Sequence, residues 1–379
     1  MIYLDYMSTT PVDSRVVDVM KSSLENNFGN ASSQHAFGSR ARESIIQART
    51  QIAGCIHADP KEIIFTSGAT ESINLALKGA ALFYQRQGKH IITMTTEHKA
   101  TLDTCHYLES IGFEVTYLNP EKNGVLDLEK LKNAIRSDTI LASIMHVNNE
   151  TGVIQNIAEI GKILRENGVL FHVDAAQSIG KIQIDLKNLS VDLMSLASHK
   201  VYGSKGIGAL YVRRQPRVQL IAQMHGGDQE NKVRSGTLPT HQIVGMGEAY
   251  QIARENFMEE SVCIKNLRDQ FEKKLSQLSG IHFNGDLNNR VANCSNFSVD
   301  NIDAQLLLKN LSDIAISQGS ACNAVDPEPS HVLVAMGLSR IAANRSFRVS
   351  VGRFTTTSEV EVASAKMIEE INQLRIRSR

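Results

Sequence analysis

Short apolar runs rich in β-branched residues alternate with longer stretches of helical periodicity over residues 41–212. Apolar runs flanked by helices predict a largely parallel sheet that is covered by helices on both faces. The predicted strands are 62–66, 90–94, 114–118, 139–146, 170–174, 192–197 and 208–212. The predicted helices between them are 41–56, 71–84, 101–111, 126–136 and 157–167. Because ligands bind outside the carboxyl ends of the strands in such sheets, strand-end residues are the first candidates for chemistry.

The pattern changes near residue 245, where one long, charged helical stretch begins and extends to residue 278. The elements predicted after it are strands at 291–299, 314–317 and 346–351 and a last helix at 358–375. We therefore predict a large α/β domain over 10–256, with a mostly parallel seven-stranded sheet, and a smaller α+β domain. The smaller domain comprises 257–379 and the N-terminal residues 1–9, which are expected to pack back onto it.

The composition excludes several classes of protein. Lys and Arg (40) balance Asp and Glu (40), so we expect no direct nucleic-acid binding through a basic surface. No run approaches the roughly 18 apolar residues of a membrane span, and the N-terminus lacks the apolar length of a signal peptide. The five cysteines are scattered and never spaced as CxxC, which predicts neither a disulfide framework nor a metal site. A cytoplasmic protein is expected.

Three strand ends place a carboxylate, a lysine and a histidine at one edge of the predicted sheet: Asp174, Lys200 and His98. Taken singly, Asp174 is interpreted as a helix N-cap and Lys200 as a solvated loop charge. Taken together, they match the needs of pyridoxal 5′-phosphate. A lysine forms a Schiff base with this cofactor, an acid keeps its pyridine nitrogen protonated, and an imidazole covers the ring face.

A phosphate site is predicted where the strand at 62–66 turns into a helix through Ser67 and Gly68. Free backbone N–H groups and the helix dipole would hold a dianion there, although an ordinary capped turn has the same pattern. The chain has no Walker loop, and residues 203–208 lack the spacing of a dinucleotide fingerprint.

A set of motifs occurs along the chain in a fixed order. They are TSGATES at 66–72, TEHK at 96–99, HVNNETG at 146–152, HVDAAQ at 172–177, HK at 199–200, RSGT at 234–237 and GSAC at 319–322. The set resembles that of cysteine desulfurases of the IscS/NifS type, which are fold-type I pyridoxal-phosphate-dependent transferases of the class V aminotransferase superfamily. The resemblance extends from Leu4 to Thr356 and implies an enzyme that converts L-cysteine to L-alanine.

By this resemblance Lys200 binds the cofactor, Asp174 partners its pyridine nitrogen, Gln177 meets its ring hydroxyl, and His98 stacks on the ring. The residues implied for the phosphate are Ala69, Thr70, His199 and, from the neighbouring subunit of a homodimer, Thr237. The family commonly has a phosphate-binding serine where this chain has Ala197, and Ser198 is expected to supply that hydroxyl.

The resemblance also implies that Asn149 and Arg348 hold the substrate carboxylate, with Asn149 lying against the cofactor as well. For Arg348 the chemistry agrees independently, because a guanidinium binds a carboxylate through two parallel hydrogen bonds. Without the resemblance, Arg348 would be interpreted as a surface arginine near a strand.

Cys322 is the candidate sulfur acceptor, which would hold a persulfide for iron–sulfur scaffold or thiolation proteins. It lies in a stretch of small, polar and proline residues over 319–330, which predicts a mobile surface loop. A nearby cation such as protonated His98 would raise its thiolate character. The other cysteines lie in or beside apolar runs and are interpreted as buried hydrophobic residues: Cys55, Cys105, Cys263 and Cys294.

Two kinds of alternative stay open. An enzyme of the same fold would be a selenocysteine lyase or an aminotransferase for small amino acids. A protein of another class would keep the fold only as a scaffold that binds sulfur-relay partners.

Overall fold

A computed structural model describes residues 1–318 and 328–377. Its strands are β1 (Ile2–Tyr3), β2 (Ile63–Thr66), β3 (His90–Met94), β4 (Glu114–Leu118), β5 (Thr139–Met145), β6 (Leu170–Asp174), β7 (Leu193–Ala197), β8 (Gly208–Val212), β9 (Ile281–Phe283), β10 (Cys294–Val299), β11 (Ile314–Ala315), β12 (Ser317–Gln318) and β13 (Ser346–Ser350). Its α-helices are α1 (Ser14–Asn26), α2 (Ala36–Cys55), α3 (Ala69–Tyr84), α4 (Lys99–Ser110), α5 (Leu128–Ala134), α6 (Ile157–Glu166), α7 (Thr240–Leu275), α8 (Ala304–Asn310), α9 (His331–Ala335), α10 (Arg340–Asn344) and α11 (Thr357–Arg377).

Within the described residues, a seven-stranded central sheet has the order β2-β8-β7-β6-β5-β3-β4. Strand β8 is antiparallel to both of its neighbours, and the other pairs are parallel. The predicted α/β class with a mostly parallel seven-stranded sheet is therefore confirmed.

The alternation of side chains along the strands builds a core on each face of the central sheet. Ile91 and Leu193 belong to the core on one face, whereas their neighbours Ile92 and Met194 belong to the core on the other. Successive residues of a strand point to opposite faces, so a strand that is apolar at every position must be covered twice. Helix α3 covers one face, and helices α2, α6 and α7 cover the other.

A second core lies on the antiparallel sheet of order β12-β13-β10-β9. Strand β1 pairs in parallel with β11, and Leu4, which follows it, is fully buried in this core. The expected return of the N-terminal residues to this part of the molecule is therefore observed. Helix α7, about 54 Å long at 1.5 Å per residue, contributes Tyr250 to the first core and Phe271 to the second. The predicted boundary at residue 256 falls inside this helix, and the division into domains stays a prediction.

Helix α1 was not predicted from the sequence. It buries only Val16 and Ser23, with Met20 partly buried, and it exposes Val17 and Leu24, so only a narrow stripe of the helix faces the core. The strand predicted at 314–317 is instead two short strands, because β11 pairs with β1 and β12 pairs with β13.

Two kinds of feature are absent from residues 1–318 and 328–377. None of their helices combines the length and apolar character of a membrane span. No three His, Cys, Asp or Glu side chains among them are grouped so that they could bind a metal ion.

Candidate active site

A cavity of about 710 Å³ opens at the carboxyl edge of the central sheet. This volume lies within the range of roughly 300–1,000 Å³ that is typical of small-molecule sites. The cavity is lined by most of the residues that the sequence selected: Ala69, Thr70, His98, Asn149, Asp174, Gln177, His199, Lys200 and Arg348. Side chains from the central sheet, the antiparallel sheet and the N-terminal segment therefore meet in one place.

Lys200 lies just after β7, and its Nζ donates hydrogen bonds to two backbone carbonyls of the N-terminal segment. The acceptors are Met7 O at 2.8 Å and Ser8 O at 2.7 Å. Burial, followed by the positive charge of Arg348, lowers the pKa of Lys200 from 10.5 to about 8. With this pKa about one-tenth of the lysine is an uncharged, nucleophilic amine at pH 7, and its two hydrogen bonds show that it is not a solvated loop charge.

Asp174 ends β6 and is 6% exposed. Its Oδ1 accepts a hydrogen bond from Ala176 N at 3.0 Å, which closes a turn and caps no helix. Burial raises the pKa of Asp174, and the nearby His98 and Lys200 act in the opposite direction. A buried carboxylate with one backbone hydrogen bond is costly unless a cation compensates it, so this site suits a protonated ring nitrogen.

His98 is the N-cap of α4, and its Nδ1 accepts a hydrogen bond from Ala100 N at 3.1 Å. The proton of the neutral ring is therefore on Nε2. Burial lowers the pKa of His98, Asp174 raises it and Lys200 lowers it further. The sequence-based expectation of a protonated His98 at neutral pH disagrees with this environment, which favours neutral imidazole.

The first turn of α3 forms the predicted anion site. Its N-cap, Gly68, has φ +155° and makes no side-chain capping hydrogen bond. A Cβ added to Gly68 would meet no atom within 4 Å, so open space lies beside the first N–H groups of the helix. His199 also lines this cavity, and burial lowers its pKa to about 4.

Two predicted phosphate ligands do not line the cavity. Ser198 is fully buried, its Oγ has no partner among the described residues, and a Cβ added to Gly203 would lie 2.0 Å from it. The side chain thus faces Gly203, and the structure does not bring it to the cofactor site. Thr237 lies in a separate, open depression lined by 224–227 and 235–236.

The cysteine predictions have mixed outcomes. Cys105 and Cys294 are buried as expected, and Cys55 is half-buried. Cys263 is exposed, so the prediction that it is a buried hydrophobic residue was wrong; it lies on a solvent-facing position of α7. Cys322, the candidate sulfur acceptor, lies outside the described residues.

Arg348, on β13, is 6% exposed, which rules out the surface interpretation. Its Nη1 donates to Asn149 O at 2.6 Å, and its Nη2 donates to Asp5 Oδ1 at 2.8 Å and to Ser8 Oγ at 2.6 Å. Nη2 also lies 3.1 Å from Ser317 Oγ, and Nε has no partner in the part of the chain that the structure describes. The guanidinium is therefore fixed in place before any ligand binds.

Sequence reasoning missed the contribution of Asp5, Met7 and Ser8. The sequence analysis assigned these residues no role, because no local pattern shows that a distant segment enters the cavity. It also missed Glu97, which is fully buried with Oε1 accepting from Met145 N at 2.8 Å, and whose pKa burial raises strongly. His331 lines the cavity and donates from Nε2 to Glu97 O at 3.0 Å.

Pyridoxal phosphate fits these residues in three respects. The buried Asp174 forms no ion pair within residues 1–318 and 328–377 and would meet the ring nitrogen. The uncapped start of α3 offers N–H groups for a phosphate. Lys200 supplies an amine of lowered pKa at the same cavity. Each observation concerns a different part of the cofactor, so their agreement is specific.

Comparisons with known proteins show to which proteins this chain is similar. A model of the class-V aminotransferase family matches residues 2–362. The cysteine desulfurase IscS of Escherichia coli is 54% identical over 377 residues, which are 99% of this chain and 93% of the relative. A NifS-like protein of known structure has a TM-score of 0.92 at 37% identity, covering 98% of this chain and 100% of that one. SspA in complex with cysteine has a TM-score of 0.84 at 42% identity, covering 94% and 100%.

Proposed function

The chain belongs to the class-V aminotransferase family, and from that premise we propose how its residues act on cysteine. It is a pyridoxal-phosphate-dependent cysteine desulfurase, which converts L-cysteine to L-alanine. The observation that supports the residue roles best is the meeting of Lys200, Asp174, His98 and Arg348 in one cavity.

When bound, pyridoxal phosphate serves as an electron sink for bond changes at the substrate. Asp174 would hold the proton of its ring nitrogen, and His98 would lie against the ring. Gln177 would donate a hydrogen bond to the ring hydroxyl. The first N–H groups of α3, at Ala69 and Thr70, together with His199, hold the phosphate.

Lys200 is proposed as the covalent attachment point and the base. Its pKa of about 8 lets Nζ accept the α-proton of the substrate near neutral pH. The carbonyls of Met7 and Ser8 would hold the resulting ammonium, since they already accept from Nζ. The same amine can then return the proton, because the low pKa makes both directions accessible.

Arg348 is proposed to bind the substrate carboxylate together with Asn149. Three side-chain oxygens and one backbone carbonyl surround its guanidinium and hold it in one orientation, so little side-chain entropy is lost on binding. Both residues line the cavity beside Lys200. This arrangement would direct the β-carbon and sulfur of cysteine away from Arg348 and into the cavity.

Cys322 is proposed to take the sulfur. Its thiolate attacks the substrate sulfur, the S–S bond forms, the C–S electron pair stays on carbon, and protonation there yields alanine. The persulfide would then pass to an acceptor protein, either an iron–sulfur scaffold or a thiolation protein. A cytoplasmic location, where thiols stay reduced, suits this chemistry.

The test compares Cys322→Ser with Cys263→Ser, a matched control at an exposed cysteine. Purified protein is given L-cysteine and a reductant, and alanine and sulfide are measured. Cys322→Ser is expected to lose at least about 100-fold in both products, because the nucleophile is gone, while Cys263→Ser keeps them. Unchanged sulfide from Cys322→Ser would remove the acceptor role.

A homodimer is also proposed, and two observations support it. Phe28 and Phe37 are exposed with ring centroids 5.2 Å apart, and Leu24 and Ile46 of the adjoining helices are exposed as well. Apolar patches of this kind are common at protein interfaces. Thr237 does not line the cavity of its own chain, which agrees with a role in the cavity of a partner.

Co-expression of two inactive variants tests the dimer. If Thr237→Ala and Lys200→Ala each impair the enzyme, a mixed dimer has one site with both residues intact. Part of the activity should then return. If each chain formed its site alone, co-expression would restore no activity.

A further inference from the structure

The side-chain amide of Gln177 is held at both ends. Its Nε2 donates to Met7 O at 2.7 Å, and its Oε1 accepts from Lys181 Nζ at 2.9 Å. Met7 O also accepts from Lys200 Nζ at 2.8 Å. Lys181 is thus linked to Lys200 through the amide of Gln177 and the carbonyl of Met7.

These contacts permit one orientation of the amide. If the amide were reversed, Nε2 would face the Lys181 amine, and Oε1 would face the Met7 carbonyl. Both of these oxygens are acceptors, so no hydrogen bond could form between them. In the observed orientation, the second N–H of Nε2 has no acceptor among the described residues, and Gln177 lines the cavity. Lys181 therefore helps to determine whether Gln177 presents a donor or an acceptor to a ligand.

The local fold explains how Lys181 reaches this place. Gly180 has φ +72°, a conformation that favours glycine, and the turns over 175–181 bring Lys181 back toward Gln177, four residues earlier. Beside it lies a small cavity of about 20 Å³, lined also by Lys200 and Asn293, large enough for one water molecule. Asn293 Oδ1, which is buried and without a partner in residues 1–318 and 328–377, suits such a water.

No step of the proposed mechanism uses Lys181. The Lys181 side chain is half-buried and its amine donates to Gln177 Oε1, so the contact with this amide is the role that the structure gives it. Burial, followed by the charge of Lys200, lowers the pKa of Lys181 to about 7.

We infer that Lys181 is a positioning residue, which fixes the amide of Gln177 so that its N–H group faces the ring hydroxyl of pyridoxal phosphate. This inference rests on the proposed role of Gln177. It makes the hydrogen bond to the cofactor depend on a residue that does not line the cofactor cavity.

The experiment measures cofactor binding to cofactor-free protein by titration with pyridoxal phosphate, followed by the imine absorbance near roughly 400 nm. Lys181→Met is expected to weaken binding by about 10-fold, the value of one charge-assisted hydrogen bond. In a Gln177→Met background the same change should cost less than about 2-fold, because the group through which Lys181 acts is absent. Lys187→Met, at an exposed lysine nearby, is the matched control.

Thermal melting of each cofactor-free variant shows whether it is folded. Lys181→Arg retains the charge and donors and should bind the cofactor better than Lys181→Met. Wild-type affinity in Lys181→Met, equal losses in both Gln177 backgrounds, or an Arg variant as weak as the Met variant would overturn the inference. If wild-type protein gives neither an imine band nor sulfide, the proposed function has failed instead.

Discussion

The cavity has two halves that are built in different ways. The half proposed to hold the cofactor, called the cofactor half, contains Asp174 at the end of β6 and Lys200 and His98, which follow β7 and β3 of the central sheet. The carboxylate half contains Arg348 in the middle of β13, whose partner Asp5 is 343 residues away in sequence. The first half follows from sheet topology, because parallel strands end at one edge. The second half depends on long-range contacts.

The N-terminal segment connects these halves. Ser8 accepts from Lys200 through its carbonyl and from Arg348 through its hydroxyl. Asp5 forms an ion pair with Arg348 at 2.8 Å and also accepts from Ser317 at 2.8 Å. The cofactor half is therefore expected to determine whether chemistry occurs, and the carboxylate half how well cysteine is held.

The largest effect is expected from Lys200→Ala, which removes the amine of the cofactor half. Turnover should fall by at least about 1,000-fold, since both the attachment point and the base are lost. Absorbance near roughly 400 nm should disappear with it. Lys187→Ala is the control at an exposed position. Retained absorbance in Lys200→Ala would refute the lysine assignment.

Arg348→Lys should separate the halves. The substitution keeps the positive charge but loses the planar fork, so the KM for cysteine should rise by about 100-fold, near 3 kcal/mol. Absorbance of the bound cofactor should stay unchanged, because Asp174 and Lys200 are intact. Steady-state kinetics and spectra on one preparation check both. If Arg348→Lys weakened cofactor binding as much as cysteine binding, the proposed separation of the two halves would be wrong.

Asp5→Asn should have a smaller effect on the same half. The amide retains the shape but loses the charge of the ion pair, so Arg348 is held less firmly and KM should rise by about 5-fold, near 1 kcal/mol. Asp18→Asn, at an exposed position on α1, is the control. A fall in KM would show that Asp5 competes with the substrate for the guanidinium.

The difference between a half built by sheet topology and a half built by long-range contacts also explains which features the sequence predicts. Strands β3, β4, β6 and β8 match their predicted bounds to the residue, because each is an apolar run with clear ends. The edge rule then identified Asp174, Lys200 and His98. Ser198 was assigned to the cavity by analogy with its neighbour, but the chain turns after β7 and points its Oγ at Gly203.

Long-range contacts have no local signal. The roles of Met7 and Ser8 depend on where the first ten residues fold back, and Gln177 meets Met7 across 170 residues of sequence. Helix α1 was missed for a related reason: it exposes the apolar residues from which a core helix is recognised.

The last prediction concerns stability and not catalysis, and it involves Glu150, which lies where the halves meet. Its backbone O accepts from Asn296 of the antiparallel sheet at 3.1 Å, and its carboxyl accepts from Ser330, the N-cap of α9, at 2.5 Å. Burial raises the pKa of Glu150 from 4.5 to about 7, against the effects of Ser330 and Arg348. Between these two values the folded protein binds more protons than the unfolded chain.

Stability from this group is therefore present at low pH and lost as pH rises from 4.5 to 7, and Glu150→Gln removes that dependence. Relative to wild type, the variant should gain about 1–3 kcal/mol of unfolding free energy between pH 5 and pH 8. Buried His146 and His172 act equally in both proteins and cancel in the difference. Calorimetry at both pH values measures this difference in unfolding free energy, with Glu43→Gln, at an exposed position, as the control. A difference that stays constant with pH would mean that Glu150 is ionised throughout and that the charge of Arg348 stabilises it.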